Sequence, residues 1–323
     1  MIDLLIVGAG PAGLSCAIAA QKNNLKYTIL EKGNIVNAII NFPVNMTFFS
    51  TSDLLELAEI PFTSAGFRPT RQEVVRYYHN LAAHFNLMVQ PNTMVRQVKP
   101  VNGHFEILAE QHKKKQTIEA ASVVLATGFY DNPNLLDISG EDLPHVSHYY
   151  REAFPYFGQN VVIVGGKNSA VEAALELFRS GANVTMIHRR PEIRESVKYW
   201  ILPDIANRIK EGSIRAFFNA GLKMIGTDFV EFTQNGENSR IPADAVFILT
   251  GYHPDIGLFE SAGVHYDPES LVPEFDQLTH ESNIPGLYLA GSLVAGKNHN
   301  LVFIENSREH GGRIVDAILA KRS

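Results

Sequence analysis

Cysteine is almost absent, since Cys16 is the single one in 323 residues. A lone thiol excludes an internal disulfide and a cysteine-rich metal site, and it suits a reducing cytoplasm. No Cys-x-x-Cys pair exists, so an internal dithiol relay is excluded as well. Long apolar runs are also missing. No stretch reaches 18 apolar residues, so no membrane span is expected. Asp3 stands where a secretory leader carries basic residues, and no cleavage-type site follows, which favours a cytoplasmic protein. Positive charge is scarce: 28 Lys and Arg against 34 Asp and Glu leave a net charge of −6. That balance gives no reason to expect nucleic acid or an anionic membrane as partner. The densest basic run, Lys113-Lys114-Lys115, reads as a solvated turn.

The rest of the composition, 45% hydrophobic and 19% charged, is that of a globular protein long enough for two domains. Its first residues carry a specific signal. The apolar run at 2–7 (IDLLIV) has the look of a buried parallel strand and breaks into Gly8-Ala9-Gly10-Pro11-Ala12-Gly13. Gly8 permits a tight turn, Gly10 lets the backbone approach a pyrophosphate, and Gly13 lets the following helix lie close to the strand. Pro11 suits the first helical position, and the helix start offers free N–H groups to phosphate oxygens. The next strand, residues 26–30, ends at Glu31, 21 residues after Gly10. An acid there accepts from ribose hydroxyls and repels a 2′-phosphate, so this cradle suits FAD or NAD.

The pattern returns at mid-chain. The run at 161–164 leads into Gly165-Gly166-Lys167-Asn168-Ser169-Ala170, a helix, and a strand from Asn183 to Ile187. This strand ends in His188-Arg189-Arg190, with Arg194 just beyond. Guanidiniums replace the ribose acid and fit a 2′-phosphate bidentately, so the second cradle favours NADPH. Lys167 stands where a close-approach glycine is usual, beside the pyrophosphate or masking it. His188 belongs to the 2′-phosphate pocket, since no second ligand lies at metal spacing. Two apolar strands, 123–128 and 246–251, both end in Thr-Gly and bracket this second cradle, as a paired hinge would. The fold expected is α/β, with two Rossmann-like (three-layer ββα) dinucleotide-binding domains, the second inserted into the first. The first domain is 1–128 plus 252–323, and the second is 129–251. Alternating stretches around Asn102-Gly103 predict a hairpin, LYLAGS at 287–292 a last strand, and Ile304 to Arg322 a final helix.

These features resemble the two-domain flavoprotein reductases of the thioredoxin reductase type. Within them the chain resembles the YpdA-type bacillithiol disulfide reductases. NFPVNMTFFSTSD at 41–53, GEDLPHVSHYYREAFPYF at 140–157 and GGKNSAVEAALEL at 165–177 carry the likeness. KYWILP at 198–203, GYHPD at 251–255 and FIENSREHGG at 303–312 continue it. The resemblance implies FAD in the first domain, NADPH in the second, hydride transfer to the flavin, and electrons passed on to a low-molecular-weight disulfide. It also implies a homodimer or higher homo-oligomer and makes Lys167 a family trait. Members of this family commonly carry a redox cysteine directly before the third cradle glycine, a place held here by Ala12.

Cys16 lies one helical turn beyond, about 6 Å along the axis and away from the cofactor end. It is expected on the face that packs against the sheet with Ala17 and Ala20, as a structural residue. Thr127-Gly128 and Gly291-Ser292 are expected to line the flavin, with Ser292 where relatives usually have an aspartate for the ribityl chain. Lys32, Phe49 and Ile304 complete the expected FAD contacts, with Phe48-Phe49-Ser50 as a cover for the isoalloxazine or as plain core. Gly251 joins Gly165, Lys167, Asn168, Ser169, Ala170, His188, Arg189, Arg190 and Arg194 on the NADPH side. Glu305 and His310, at the start of the final helix, are the candidates for catalytic roles near the flavin pyrimidine. His148, Tyr149 and Tyr150 read equally as a ligand path or as packing. Three functions stay open at this level. They are an NADPH-dependent flavin reductase acting on a small molecule or redox protein, a flavin monooxygenase, and a FAD- and NADPH-binding redox sensor. The FxGxxxH run expected of the monooxygenase does not occur before the second cradle.

Overall fold

The computed structural model describes residues 1–193, 197–298 and 301–322. They group into two compact units. The first comprises Met1–Ile40, Met46–Asn132 and Tyr252–Ser323, and the second Asn41–Asn45 and Pro133–Gly251. Residues 41–45 therefore group with the second unit, not with the first as expected. Hydrogen bonds explain this: Val44 N–H donates to the Arg151 carbonyl (2.8 Å) and Asn45 Nδ2 to Glu176 (3.2 Å).

The first unit begins with β1 (Ile2–Val7), α1 (Pro11–Lys22) and β2 (Tyr27–Leu30). It continues through α2 (Asn37–Ile40), α3 (Arg71–His84), β3 (Val89–Gln90), β4 (Thr93–Val101), β5 (His104–Gln111) and β6 (Lys114–Leu125). The strand order is β3-β2-β1-β6-β5-β4. From β3 to β6 the pairing is parallel, and β4-β5-β6 form an antiparallel meander. β1 is apolar throughout its buried part because parallel strands are covered on both faces. Asn102 and Gly103, both at positive φ, turn the β4–β5 hairpin as their dipeptide predicts. His112 and Lys113, also at positive φ, turn the next hairpin, and Lys114 and Lys115 are exposed at the start of β6. Helix α3 starts with a capping box: Thr70 Oγ accepts from Glu73 N–H, and the Glu73 carboxylate accepts from Thr70 N–H. Such a cap contributes about 1 kcal/mol.

The second unit has its own parallel sheet. It contains β7 (Val146–Ser147), β8 (Asn160–Val164), α4 (Asn168–Arg179), β9 (Asn183–His188), α5 (Leu202–Lys210) and β10 (Arg215–Phe218). After these come β11 (Ala220–Ile225), β12 (Phe229–Gln234), β13 (Glu237–Pro242) and β14 (Ala245–Ile248). The parallel order is β10-β9-β8-β14-β7, and β11-β12-β13 form a separate antiparallel sheet. One core packs α4 on one face of the sheet, and Val162, Ile187, Val246 and Phe232 form another on the opposite face. Each unit is thus an α/β domain with a parallel sheet and an antiparallel meander.

The chain then returns to the first unit with α6 (Ile256–Ala262), β15 (Leu287–Leu289), α7 (Ile304–Ser307) and α8 (His310–Ala320). β15 adds to the carboxyl half of β6 in parallel register, beside the half that pairs with β5. LYLAGS is strand only to Leu289, and Gly291–Ala295 form a 3-10 turn. The expected final helix is also interrupted, by a turn at Arg308 and Glu309 between α7 and α8. Tertiary bonds hold that turn: Arg308 donates to the Asp53 carbonyl (2.8 Å), and its own carbonyl accepts from Ser15 Oγ (2.5 Å).

Helix α8 lies so close to α1 that a Cβ on Gly311 would stand 2.4 Å from the Cys16 nitrogen. A Cβ on the neighbouring Gly312 would meet nothing within 4 Å. Gly311→Ala is therefore expected to destabilise the protein by about 1–3 kcal/mol through overpacking. Gly312→Ala, by contrast, should stabilise it by about 0.5–1 kcal/mol through helix entropy. Urea denaturation of the two variants checks this, and equal effects would contradict the close approach.

Candidate functional site

The first cradle forms where β1, β6 and β15 end. A Cβ on Gly8 (φ +104°) would lie 2.5 Å from the Ala126 carbonyl oxygen, and one on Gly13 would lie 2.0 Å from the Gly8 oxygen. Only glycine allows either approach. A Cβ on Gly10 would meet nothing within 4 Å, which leaves open space over the start of α1. That helix has Pro11 at its first turn and no side-chain cap, unlike α3 with its capping box and α6, where Asp255 accepts from Leu258 N–H. Its first N–H groups are thus left to an outside acceptor.

Glu31, 6% exposed, fixes the turn between strand and helix. Its carboxylate accepts from the N–H of Ala9 (2.8 Å) and of Gly33 (2.8 Å). Burial raises its pKa, and these two bonds counteract only part of that rise. A carboxylate has about four acceptor positions, so two remain for ribose hydroxyls. The Ala9 carbonyl in turn accepts from Val36 N–H (3.0 Å). Val36 is a buried β-branched residue at φ +51°, a conformation that costs energy and that no sequence signal announces. Lys32 pairs with Asp131 at 3.0 Å instead of standing free.

Around this turn the other expected flavin residues converge. A Cβ on Gly128 (φ +66°) would lie 3.6 Å from Ser292 Oγ. One on Gly291 (φ +78°) would come within 2.9 Å of the Ala12 Cβ. Thr127-Gly128 and Gly291-Ser292 thus meet beside Gly8 and Ala12, which forms a floor of backbone. Phe48 is buried, whereas Phe49 is half exposed with its ring edge-to-face on Phe303 at 5.5 Å. Ser50 donates to the Glu305 carboxylate in the first turn of α7, whose first residue is Ile304. Glu305 therefore lies in a four-residue helix and not the long one expected, so no strong helix dipole stands behind it.

His310 is buried and accepts at Nδ1 from the Gly291 N–H at 3.2 Å. Burial first, then His280 and Arg313, push its pKa down to about 3, so the ring is neutral. Cys16 is fully buried, and its thiol is pushed up to about 12. It lies in the contact of α1 with Gly311 of α8, a neighbour the expected helix–sheet placement did not include.

The second cradle repeats the first with changes. Gly165 (φ +144°) passes close to the Leu249 carbonyl, and Gly166 lies under the His188 ring, 2.5 Å from a would-be Cβ. Lys167 is exposed at the N-cap of α4, which also lacks a side-chain cap, and Ala170 is buried against Gly165. Asn168 Oδ1 accepts from Lys198 N–H (2.8 Å), so its side chain anchors the following loop. Ser169, Arg189 and Arg190 are exposed, and Arg194 lies outside the described residues. Gly251 (φ +98°) is clasped by Asn134, whose N–H donates to the Gly251 carbonyl at 2.9 Å. Tyr150 is buried edge-to-face on Phe247, which favours the packing alternative for that residue. Among the described residues no group of three or more His, Cys, Asp or Glu could hold a metal, and no helix is long and apolar enough to cross a membrane.

A sequence profile described as pyridine nucleotide-disulphide oxidoreductase matches residues 5–291. The chain belongs to that family. It is 43% identical over 321 residues to the bacilliredoxin reductase Bdr of Bacillus subtilis (strain 168), covering 98% of this chain and 97% of that one. The solved structure titled bacillithiol disulfide reductase Bdr (YpdA) from Bacillus cereus superposes with a TM-score of 0.96 at 39% identity, over 99% of both chains. Its Staphylococcus aureus counterpart gives 0.93 at 40%, over 100% of this chain and 99% of that one. A thioredoxin reductase of T. acidophilum, 22% identical with a TM-score of 0.77 over 99% and 98% of the chains, shares the fold. The chain is thus an NAD(P)H-dependent flavin oxidoreductase of the Bdr and thioredoxin reductase family, and membership implies FAD and NAD(P)H as its cofactors.

Sequence spacing located Glu31 but not its bonds to Ala9 and Gly33. It missed Val36, Asn134 and His280, which carry no local motif. Glu31→Gln replaces one acceptor oxygen with an NH2 that faces a backbone N–H. Hydrogen bonds to charged groups contribute about 1.5–3 kcal/mol, so FAD affinity is expected to fall about 10- to 100-fold. Equilibrium dialysis against FAD measures this, and unchanged affinity would remove Glu31 from the site.

Proposed function

We propose that the chain takes hydride from NADPH onto FAD and passes electrons to a low-molecular-weight disulfide of the bacillithiol type, with no protein thiol in the path. The observation that carries this reading is the first cradle, with its close glycine contacts, its uncapped helix and Glu31 at the ribose position. Near full-length relatives named for bacillithiol disulfide and bacilliredoxin reduction support the acceptor class. In net terms NADPH and one proton reduce one disulfide: the S–S bond breaks, two thiols form, and NADP+ is left. A redox protein carrying a disulfide to the same small thiol is a larger acceptor of that class. We place the protein in the cytoplasm as a homodimer or higher homo-oligomer, as the family resemblance implies.

FAD, when bound, supplies the two-electron chemistry. The chain's own residues bind and orient. The space over Gly10 and the free N–H groups of α1 suit the pyrophosphate, and Glu31 suits the adenosine ribose. Thr127, Gly128, Gly291 and Ser292 line the flavin, and Ser292 offers a neutral contact where a carboxylate would give a charge-assisted one. Lys32 balances Asp131 at the edge of the cradle. On the other unit, Arg189 and Arg190 bind the 2′-phosphate of NADPH with His188 beside them, and Lys167 reaches toward the pyrophosphate. Position 12, where the resemblance implies a redox cysteine, holds an alanine against Gly291. Cys16, buried and held as the thiol, gives no thiolate at neutral pH.

Purified protein should be yellow with one FAD per chain, and NADPH should bleach the flavin under anaerobic conditions. Bacillithiol disulfide should then restore the colour. A colourless protein that takes up no FAD would overturn the reading. A reduced flavin indifferent to the disulfide would overturn the acceptor. Replacing both Arg189 and Arg190 with Ala should lower kcat/KM for NADPH by about two decades and leave NADH nearly unchanged. Equal losses with the two coenzymes would make these arginines structural.

A further inference from the structure

The 3-10 turn that starts at Gly291 is held by a pair of closely packed, tilted histidine rings. Gly291 N–H donates to His310 Nδ1 at 3.2 Å. Because Nδ1 accepts, the neutral ring carries its proton on Nε2. His280 covers His310 with ring centroids 4.0 Å apart, and Phe275 stacks on His280 at 5.6 Å. Both ring nitrogens of His280 are buried without a hydrogen bond of normal geometry, with the Leu289 backbone as the polar group beside the ring. The His280 backbone, at φ +60°, donates to the Asp276 carbonyl and accepts from Leu289 N–H, which brings the ring to the end of β15. Two buried imidazoles, one of them at best weakly bonded, are costly to keep for packing alone.

On balance, positive charge is disfavoured on this pair. Burial is the largest influence on both rings, and Arg313 of α8 adds positive charge to each. Asp276 is the carboxylate that faces His280, and it already accepts from the N–H groups of Leu278 and Thr279. Glu309 pairs with Arg313 at 3.3 Å, and Glu281 pairs with Lys321 at 2.5 Å. Ala12, Ser15 and Cys16 of α1, Gly291 of the turn and Leu289 of β15 bring no charge. A proton on either ring would place a cation 4.0 Å from its neighbour. On His310 it would also point a donor at the Gly291 N–H.

We propose that His310, backed by His280, is the positioning residue of the Gly291-Ser292 turn, and that the chain holds its flavin only while both rings are uncharged. The inference rests on reading the first cradle as a flavin site. Its pH dependence has a definite sign. The flavin-binding form needs neutral rings, whereas a form with the turn opened to water takes up a proton at the ordinary imidazole pKa of about 6.5. Affinity is therefore complete above that value and falls as pH drops below it, by at most about 30-fold at pH 5.0 for one ring, since the closed turn keeps its ring neutral with or without flavin.

FAD dissociation constants of the apoprotein, measured by flavin fluorescence between pH 8.0 and 5.0, test the inference. Wild type should lose affinity across the range, by up to about 30-fold for each ring that titrates. His310→Asn keeps an acceptor near the Nδ1 position and cannot be charged, so it should bind FAD well at pH 8.0 and show a much flatter profile. His310→Leu should bind weakly at every pH. Circular dichroism checks its fold, and His310→Asn carries the test if the leucine variant does not fold. Equal slopes for wild type and His310→Asn would overturn the inference. Tight binding by a folded His310→Leu at pH 8.0 would overturn it as well. Failure of the wild type to bind FAD at pH 8.0 would instead strike at the flavin site itself.

Discussion

Ala9 is gripped from two sides, its N–H by the Glu31 carboxylate and its carbonyl by Val36 N–H. The turn this peptide belongs to joins the end of β1 to the start of α1, so its orientation decides where the helix points its free N–H groups. Gly8 and Gly13 make the grip possible because neither the Ala126 oxygen nor the Gly8 oxygen tolerates a Cβ at those distances. Two opposing costs accompany it. A buried carboxylate is poorly solvated, and its pKa rises despite two N–H donors. A β-branched residue at positive φ is strained. On the proposed reading, ribose hydroxyls donating to the remaining lone pairs of Glu31 would offset the first cost.

The second cradle meets the same demands with less closure. Gly165 repeats Gly8, but Lys167 and Ala170 replace the second and third glycines. Lys167 faces solvent, and the Asn168 side chain is committed to the loop at Lys198, which Lys198 Nζ reinforces by pairing with Glu172 at 2.5 Å. His188 lies against Gly166, so that glycine is required by an imidazole and not by phosphate approach. On the proposed reading, this unit would rely more on exposed side chains, Arg189 and Arg190 among them, than on backbone complementarity. Such an arrangement suits a coenzyme that binds and leaves.

Glycine spacing and the residues that end β2 and β9 were legible in the sequence because they follow from local rules: a turn, a close approach, an acid or a guanidinium at a fixed distance. The Asn102-Gly103 hairpin was legible for the same reason. The break between α7 and α8 was not, because helical periodicity continues through it and bonds to Asp53 and Ser15 impose it from far along the chain. Residues 41–45 likewise group with the second unit through Arg151 and Glu176, more than 100 positions away. Glu305 and His310 were legible as polar residues near a helix start, yet their partners, Ser50 and Gly291, emerge only in three dimensions.

Cys16 is the natural suspect in a family named for disulfide chemistry, and its surroundings argue against it. The side chain is fully buried, its thiol is pushed up to about 12, and the backbone beside it touches Gly311 so closely that α1 has little room to shift. With alanine at position 12, the path we propose leaves the flavin as the carrier of electrons. Anaerobic stopped-flow reoxidation of the NADPH-reduced Cys16→Ser protein by bacillithiol disulfide tests this most directly. The account predicts the wild-type rate. Loss of disulfide-dependent reoxidation, with FAD content and reoxidation by a dye intact, would contradict it.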